Sequence, residues 1–248
     1  MDEWFSHFLQ GAQAEIYDQL QRLRPDYSRA MNELKATLER HVEGKGDGLT
    51  VLDIACGTGA ATKLLYENND LSKDKIKRFV GLDSDQKLLQ LAQAKCSKLD
   101  VIHADMIEAE TEETFDVVLC SFAYHHVTDK DKPKLCENMH KWCKHDGDLF
   151  VLEICLSASQ VRDYYEKVKR ELPRNSSMRG LCQSFLDWTM ADDQEATGEW
   201  KVPLSHLMQD FTSTGWLPRN VIEIWPGTPV MKDAGCFLLH FTPTEKQK

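Results

Sequence analysis

Carboxylates recur where apolar runs stop. Asp53 stands in VLDIACGTG two residues before a glycine turn, Asp83 closes RFVGLD, and Asp105 follows DVIHA. Val51, Leu52 and Ile54 lead through Ala-Cys-Gly-Thr-Gly into a helix-like segment, the pattern of a buried strand, a tight turn and a helix opening onto a ligand. Gly57 and Gly59 carry no Cβ, so a ligand can lie directly against the backbone, and both accept φ > 0. A helix starting near Ala60 aims unpaired N–H groups at the same place. No Gly-Lys-Ser/Thr ending follows, which argues against a phosphate-cradling loop. The G-x-G-x-x-G fingerprint is also incomplete, with Ala55 and Thr62 where flanking glycines would help. Asp53 would repel a pyrophosphate and suits a cationic, amino-acid-like ligand.

The other two acids extend that reading. An acid at the end of a second strand can accept hydrogen bonds from both ribose hydroxyls of an adenosine, which is the role open to Asp83. Asp105 could take an adenine amino group while Met106 lies against the ring. Singly, each acid reads equally well as a loop residue or a helix N-cap. Together, at three consecutive strand ends, they divide an adenosyl–amino-acid ligand into its parts.

The elements that must position these acids follow from periodicity. Residues 1–43 read as helix–break–helix, with Trp4, Phe5, Phe8, Leu9, Ile16 and Leu20 before Pro25 and Ala30, Met31, Leu34 and Leu38 after it. They either cover a cleft or simply pack. Strands are expected over Leu49–Ile54, Arg78–Asp83, Asp100–Ala104, Phe115–Ser121 and Asp148–Ile154. Helices are expected over about Ala60–Asn68, Asp85–Ser97 and Lys132–Lys144. Such alternation means a parallel sheet with helices on both faces and ligands at the carboxyl ends of the strands. Residues 157–214 read as helical, interrupted at Pro173 and Gly198, and the runs Asn220–Trp225 and Cys236–Phe241 read as a closing hairpin.

Composition excludes several classes. A net charge of −10 over 248 residues argues against a nucleic-acid backbone as partner. The basic clusters Lys130–Lys134 and Lys167–Arg170 read as solvated helix faces. No apolar run approaches the roughly 20 residues of a membrane span, and MDEWFSHFLQ is neither a signal nor a transit peptide, so the expected setting is the cytoplasm. Eight scattered cysteines, several in apolar strands, fit reduced buried thiols. Cys136, His140 and Cys143, with His145 close behind, have a spacing that could face zinc. Leu135, Met139 and Trp142 share the neighbouring face, so buried thiols are the preferred reading and no metal is expected.

Residues 49–155 resemble class I S-adenosylmethionine-dependent methyltransferases, most closely their small-molecule branch. The resemblance is carried by VLDIACGTG, GLDSD, HADM, FDVVLCSFAYHHV and HDGDLFVLE, with Ala55 in place of the commonest first glycine and a charged, insertion-like loop between Gly59 and Asp83. It implies a Rossmann-like α/β fold with a seven-stranded sheet in the order 3-2-1-4-5-7-6, six strands parallel and the last antiparallel. The implied division is a helical cap (1–45), a cofactor-binding core (46–156), a helical lid (157–214) and a closing hairpin (215–248). The implied cofactor is S-adenosylmethionine, held by Tyr17, Tyr27, Asp53, Ala55, Gly57, Gly59, Asp83, Ser84, Leu88, Asp105, Met106, Ser121 and Phe122. The end of strand four would then lie under the methyl group. His125 becomes a candidate base or substrate contact with His126 behind it, since imidazole titrates near neutral pH. Tyr124 either orients a substrate or packs, and Phe185 and Trp188 are candidates to line a substrate pocket. The expected chemistry is in-line displacement onto a small-molecule acceptor, with no nucleic-acid or membrane partner. A protein or RNA methyltransferase and a non-catalytic cofactor-binding subunit are the alternatives.

Overall fold

The computed structural model describes residues 12–66, 75–190, 198–226 and 233–244. Trp4, Phe5, Phe8 and Leu9 lie outside them. The cap begins with α1 (Ala12–Leu23) and α2 (Pro25–Glu43). Pro25 occupies the first turn of α2, where a missing N–H costs no hydrogen bond, so the expected break is a tight joint at Arg24.

Seven strands follow: β1 (Leu49–Ile54), β2 (Ile76–Asp83), β3 (Leu99–His103), β4 (Phe115–Ser121), β5 (Cys143–Cys155), β6 (Trp216–Trp225) and β7 (Gly235–Pro243). They lie in the order β3-β2-β1-β4-β5-β7-β6. The pairs among β1 to β5 are parallel, and β7 runs antiparallel to both β5 and β6. The expected Rossmann-like sheet is the observed one. Its central strands are buried on both sides, so apolar residues point alternately to two cores. Val51, Phe79, Leu119 and Phe150 face one core, while Leu52, Val80, Val118 and Val151 face the other.

The helices distribute unequally. α3 (Ala60–Tyr66) and α4 (Gln86–Lys95) share the first face with α1 and α2. α5 (Lys132–Trp142) packs on the second. α6 (Ala158–Glu171) and α7 (Arg179–Thr189) return to the first face, and α8 (Leu204–Ser213) crosses to the second, burying Leu207 and Phe211. The lid expected over 157–214 is therefore not one unit: α8 is core, because its apolar stripe meets α5 and β6 instead of the cap.

Boundaries shift where composition misleads. β5 begins at Cys143, not Asp148, because the polar run Lys144–Asp146 continues the ladder to β4 past a register shift between Phe115 and Val117. α5 stops at Trp142 for the same reason. Asp85 caps α4 from outside, accepting the Lys87 and Leu88 N–H groups, so that helix is shorter than expected. β6 extends back to Trp216 and includes Pro218, tolerated on an edge strand beside a register shift.

Toward the amino end of β5, Asp148 gathers two histidines and a lysine from distant segments. Its carboxylate oxygens lie 3.0 Å from His41 Nε2, 2.7 Å from His240 Nε2 and 2.7 Å from Lys45 Nζ. Burial alone would raise its pKa, but the hydrogen bonds from His240, His41 and Lys45 outweigh burial and hold the carboxyl well below the usual range. This cluster ties the cap helix α2 to β5 and β7.

Candidate active site

A cavity of about 430 Å³ opens at the carboxyl ends of β1, β2 and β4, within the size range of small-ligand sites. Its floor comes from Asp53, Ala55 and Gly57 after β1, from Asp83 and Ser84 after β2, and from Ser121 and Phe122 after β4. Tyr17, Asp18, Gln21 and Tyr27 of the cap roof it, and His126, Thr128, Gly198 and Trp200 form the rim.

The turn after β1 is built from left-handed backbone: Ala55 has φ 49°, Gly57 54° and Gly59 75°. The two glycines do different work. A Cβ on Gly57 would meet nothing within 4 Å, so its backbone borders open space in the cavity. A Cβ on Gly59 would lie 3.0 Å from Ala92 Cβ and 3.2 Å from Ala92 Cα, so this glycine lets the chain pass α4 closely. The expectation that Gly59 faces a ligand is corrected: it does not line the cavity. Phe122 (φ 53°) is, with Ala55, a second non-glycine residue in left-handed conformation on the wall, a strain that the surrounding packing must hold in place.

Two carboxylates anchor the floor. Asp83 accepts the Gly57 N–H at 2.8 Å and the Asp85 N–H at 2.9 Å, and burial pushes its pKa up against those donors. Asp53 is buried and accepts the Thr62 hydroxyl at 2.6 Å. Burial pushes its pKa up to about 6, opposed by the Thr62 hydrogen bonds and helped by the nearby Asp83 charge. Above them, Gln21 Nε2 donates to the Tyr17 hydroxyl at 2.6 Å, and Tyr27 stacks on Phe122 at 5.1 Å between centroids. Ser121 Oγ is buried with no hydrogen-bond partner among the described residues. A buried hydroxyl in that state is costly unless a ligand satisfies it. Open backbone at Gly57, two acids and an orphaned hydroxyl beside apolar rings fit an adenosyl–amino-acid ligand.

A family model described as a methyltransferase domain matches residues 51–147, the span from β1 into β5. The (S)-coclaurine N-methyltransferase of Papaver somniferum is 32% identical over 192 residues, covering 71% of this chain and 51% of that protein. An S-adenosylmethionine-dependent methyltransferase from Clostridium acetobutylicum superposes with a TM-score of 0.63 at 15% identity, covering 93% of this chain and 97% of that one. Residues 51–147 are a methyltransferase domain, and the chain has the fold of the class I S-adenosylmethionine-dependent methyltransferases. The N-methyltransferase NodS from Bradyrhizobium japonicum, crystallised with S-adenosyl-L-homocysteine, superposes at 0.56 with 14% identity and coverage of 97% and 96%. The chain spans about half the length of the curated relatives it matches.

Around this fold's strand ends the cavity collects Tyr17, Tyr27, Asp53, Ala55, Gly57, Asp83, Ser84, Leu88, Met106, Ser121, Phe122 and His126. Five further candidates stand elsewhere. Asp105 is exposed, and its carboxylate accepts the Ile107 N–H at 2.7 Å, capping a turn instead of reaching the wall that Met106 joins. Tyr124 is fully buried on the second face, where its hydroxyl donates to Asp210 of α8, so it cannot touch a substrate. His125 lies behind the wall, its Nδ1 2.6 Å from Glu153 Oε1. Burial, with the Lys201 and Lys132 charges, holds that imidazole well below its ordinary pKa, and burial pushes Glu153 up to about 7. Phe185 meets Tyr17 edge-on at 5.8 Å with Trp188 stacked at 6.4 Å beyond it, so both back the roof without lining it.

His126 is the imidazole on the wall. Its Nδ1 lies 3.2 Å from Gly198 O, and a carbonyl only accepts, so the proton sits on Nδ1 and Nε2 is the basic nitrogen. His126 is exposed at the rim, and partial desolvation of its ring together with the adjacent His125 pushes its pKa down. Sequence reasoning missed Asp18, Gln21, Thr128, Gly198 and Trp200. Gln21 was within reach, one helical turn after Tyr17. Gly198 and Trp200 carry no local signal, because they reach the rim through the Trp200 N–H donated to His125 O at 2.7 Å.

Cys136 and Cys143 are buried in the second core with pKa values pushed up by burial, a setting for inert thiols, and His140 packs edge-on against Trp216 at 5.2 Å. All eight cysteines are free and buried. No helix among the described residues is long and apolar enough to cross a membrane.

Proposed function

We propose that the protein transfers the methyl group of S-adenosylmethionine to a small-molecule acceptor. The observation that carries this reading is the cavity at the carboxyl ends of β1, β2 and β4, with Asp53 and Asp83 on its floor and open backbone at Gly57. Asp83 would hold the ribose hydroxyls, Asp53 the cationic amino-acid end, and Leu88 and Met106 the faces of the base. When bound, the cofactor supplies a methyl group on a cationic sulfonium whose leaving group is a neutral thioether, so no protein acid is required.

The protein's share is then mainly orientation and exclusion of water. Holding two reactants in line contributes roughly 7–11 kcal/mol in favourable cases. The roof of Tyr17, Gln21 and Tyr27 and the rim of Thr128 and Trp200 enclose the acceptor side. His126, neutral at physiological pH, accepts a hydrogen bond from the acceptor and orients its lone pair. His125 and Glu153 fix the turn on which His126 sits: the Glu153 carboxylate takes both the His125 ring nitrogen and the His125 N–H.

The named N-methyltransferase relatives and the enclosed cavity favour a small acceptor over a protein or RNA. A reducing, cytoplasmic setting suits eight buried free thiols. The test is calorimetry with S-adenosylhomocysteine, followed by incubation of the purified chain with methyl-labelled cofactor and a metabolite extract. Binding that Asp83→Ala weakens, with label recovered in a small compound, is the expected result. No binding, or no effect of Asp83→Ala, would sink the reading. Label recovered only when a second chain is added would favour the partner-subunit alternative.

A further inference from the structure

The charge on the cavity wall is one-sided. Asp18, Asp53, Asp83 and Asp85 line it, and among the described residues no lysine or arginine does. Nearby cations are engaged elsewhere. Lys95 pairs with Asp18 at 2.5 Å, Arg24 with Asp26 at 2.7 Å and Lys201, whose charge reaches His126 from behind the wall, with Glu199, while Lys132 Nζ donates to Val127 O, Asp129 and Trp200 O at 2.7–2.8 Å. With the Asp18–Lys95 pair counted as neutral, three carboxylates remain on the wall. Their recorded hydrogen-bond donors are backbone N–H groups and one hydroxyl, and none is a charged side chain.

The rest of the wall is apolar or aromatic. Tyr27 and Phe122 form a stacked pair, Trp200 stands at the rim, and Met31 and Met106 fill between. His126, exposed at the rim, adds an imidazole ring. A partly enclosed cleft with surplus negative charge and exposed π faces attracts cations and repels carboxylates and phosphates. The cofactor accounts for part of that negative charge, yet a wall with no cation of its own has nothing to receive an anionic acceptor.

We propose that the methyl acceptor is an amine, drawn to the cleft as its ammonium and alkylated on nitrogen. The inference rests on the methyltransferase reading above. The ammonium first gives one N–H proton to water. The nitrogen lone pair then forms the new N–C bond while the S–C bonding pair stays on sulfur, so the positive charge passes from sulfur to nitrogen. A secondary amine leaves as a tertiary ammonium and loses its remaining proton to water.

The test reads binding, not turnover. The full chain is first titrated with S-adenosylhomocysteine, then, at saturation, with three ligands of similar size and different charge: N-methylbenzylamine, benzyl methyl ether and phenylacetate. The amine is expected to bind at least tenfold more tightly than the ether, with phenylacetate weakest. An ether or phenylacetate affinity equal to the amine's, including no measurable binding by all three, overturns the amine assignment and leaves the methyltransferase reading standing. Failure of S-adenosylhomocysteine itself to bind removes both.

Discussion

Asp53 makes cofactor affinity depend on pH in a direction that can be worked out. Its carboxyl is buried under the cavity floor with a pKa pushed up to about 6, first by burial and then by Asp83. A cationic amino-acid end binds the carboxylate and not the acid. With a pKa near 6, roughly 90% of the chains carry the carboxylate at pH 7 and roughly 10% at pH 5, so affinity should fall about tenfold between them, or about 1.4 kcal/mol. The assay is calorimetric titration with S-adenosylhomocysteine at pH 5, 6, 7 and 8, in two buffers of different ionisation enthalpy to count the proton released on binding. Asp53→Asn keeps an oxygen for Thr62 and removes the charge; it should bind weakly at every pH and lose the slope. Stability moves oppositely. A carboxyl with a raised folded pKa stabilises below its unfolded pKa and loses that contribution as pH rises through about 6. At pH 8 the unliganded Asn variant should therefore be more stable by up to about 3 kcal/mol, from roughly two pKa units at 1.36 kcal/mol each. An affinity independent of pH, or the same slope in the Asn variant, would refute the reasoning.

Four further expectations separate binding from folding. Gly57→Ala puts a methyl group into open cavity space and should weaken S-adenosylhomocysteine at least tenfold, with a modest strain of about 1–2 kcal/mol from its left-handed backbone. Gly59→Ala collides with Ala92 and should instead lower thermal stability by about 2–4 kcal/mol. Asp148→Asn removes the anion from His41, His240 and Lys45 and should cost about 2–4 kcal/mol, discounted because the partners are partly solvated. Because the Asp148 pKa is depressed on folding, that contribution is present above the ordinary carboxylate range and shrinks as pH falls through it, so denaturant unfolding at pH 7 and pH 3 should show the gap narrowing in acid. Tyr124→Phe leaves buried Asp210 without its hydroxyl donor and should cost about 1–3 kcal/mol in thermal unfolding while leaving S-adenosylhomocysteine affinity unchanged.

Most of the scaffold was legible because its signals are local. β1, the glycine turn and the start of α3 are written within a dozen residues, and an apolar run that ends in an acid marks a strand end wherever it falls. That is why Asp53 and Asp83 could be read as strand-end acids, and both line the cavity. Met106 was legible for the same reason, whereas its neighbour Asp105 was not, since capping a turn and touching a ligand ask for the same residue type. The helical character of α6, α7 and α8 also followed from spacing, but spacing does not say which of two cores an apolar stripe will join.

The tripeptide Tyr124–His126 shows where the boundary lies. Its composition alone marked the end of β4 as a place for chemistry, and of its three residues only His126 lines the cavity. A 3-10 turn advances about 120° per residue, so three successive side chains leave in three directions. Tyr124 goes to Asp210, His125 to Glu153 and His126 to the cavity. Which neighbour each one meets is set by α8, β5 and the Gly198–Trp200 rim, all distant in sequence. The Asp148 cluster is a further case, joining residues 107 and 92 positions apart. The chain's own order determined strands, turns and the acids that end them, because those depend on neighbours along the backbone. The folded sheet decided which residues face one another, because contacts between remote segments arise only when their strands and helices pack.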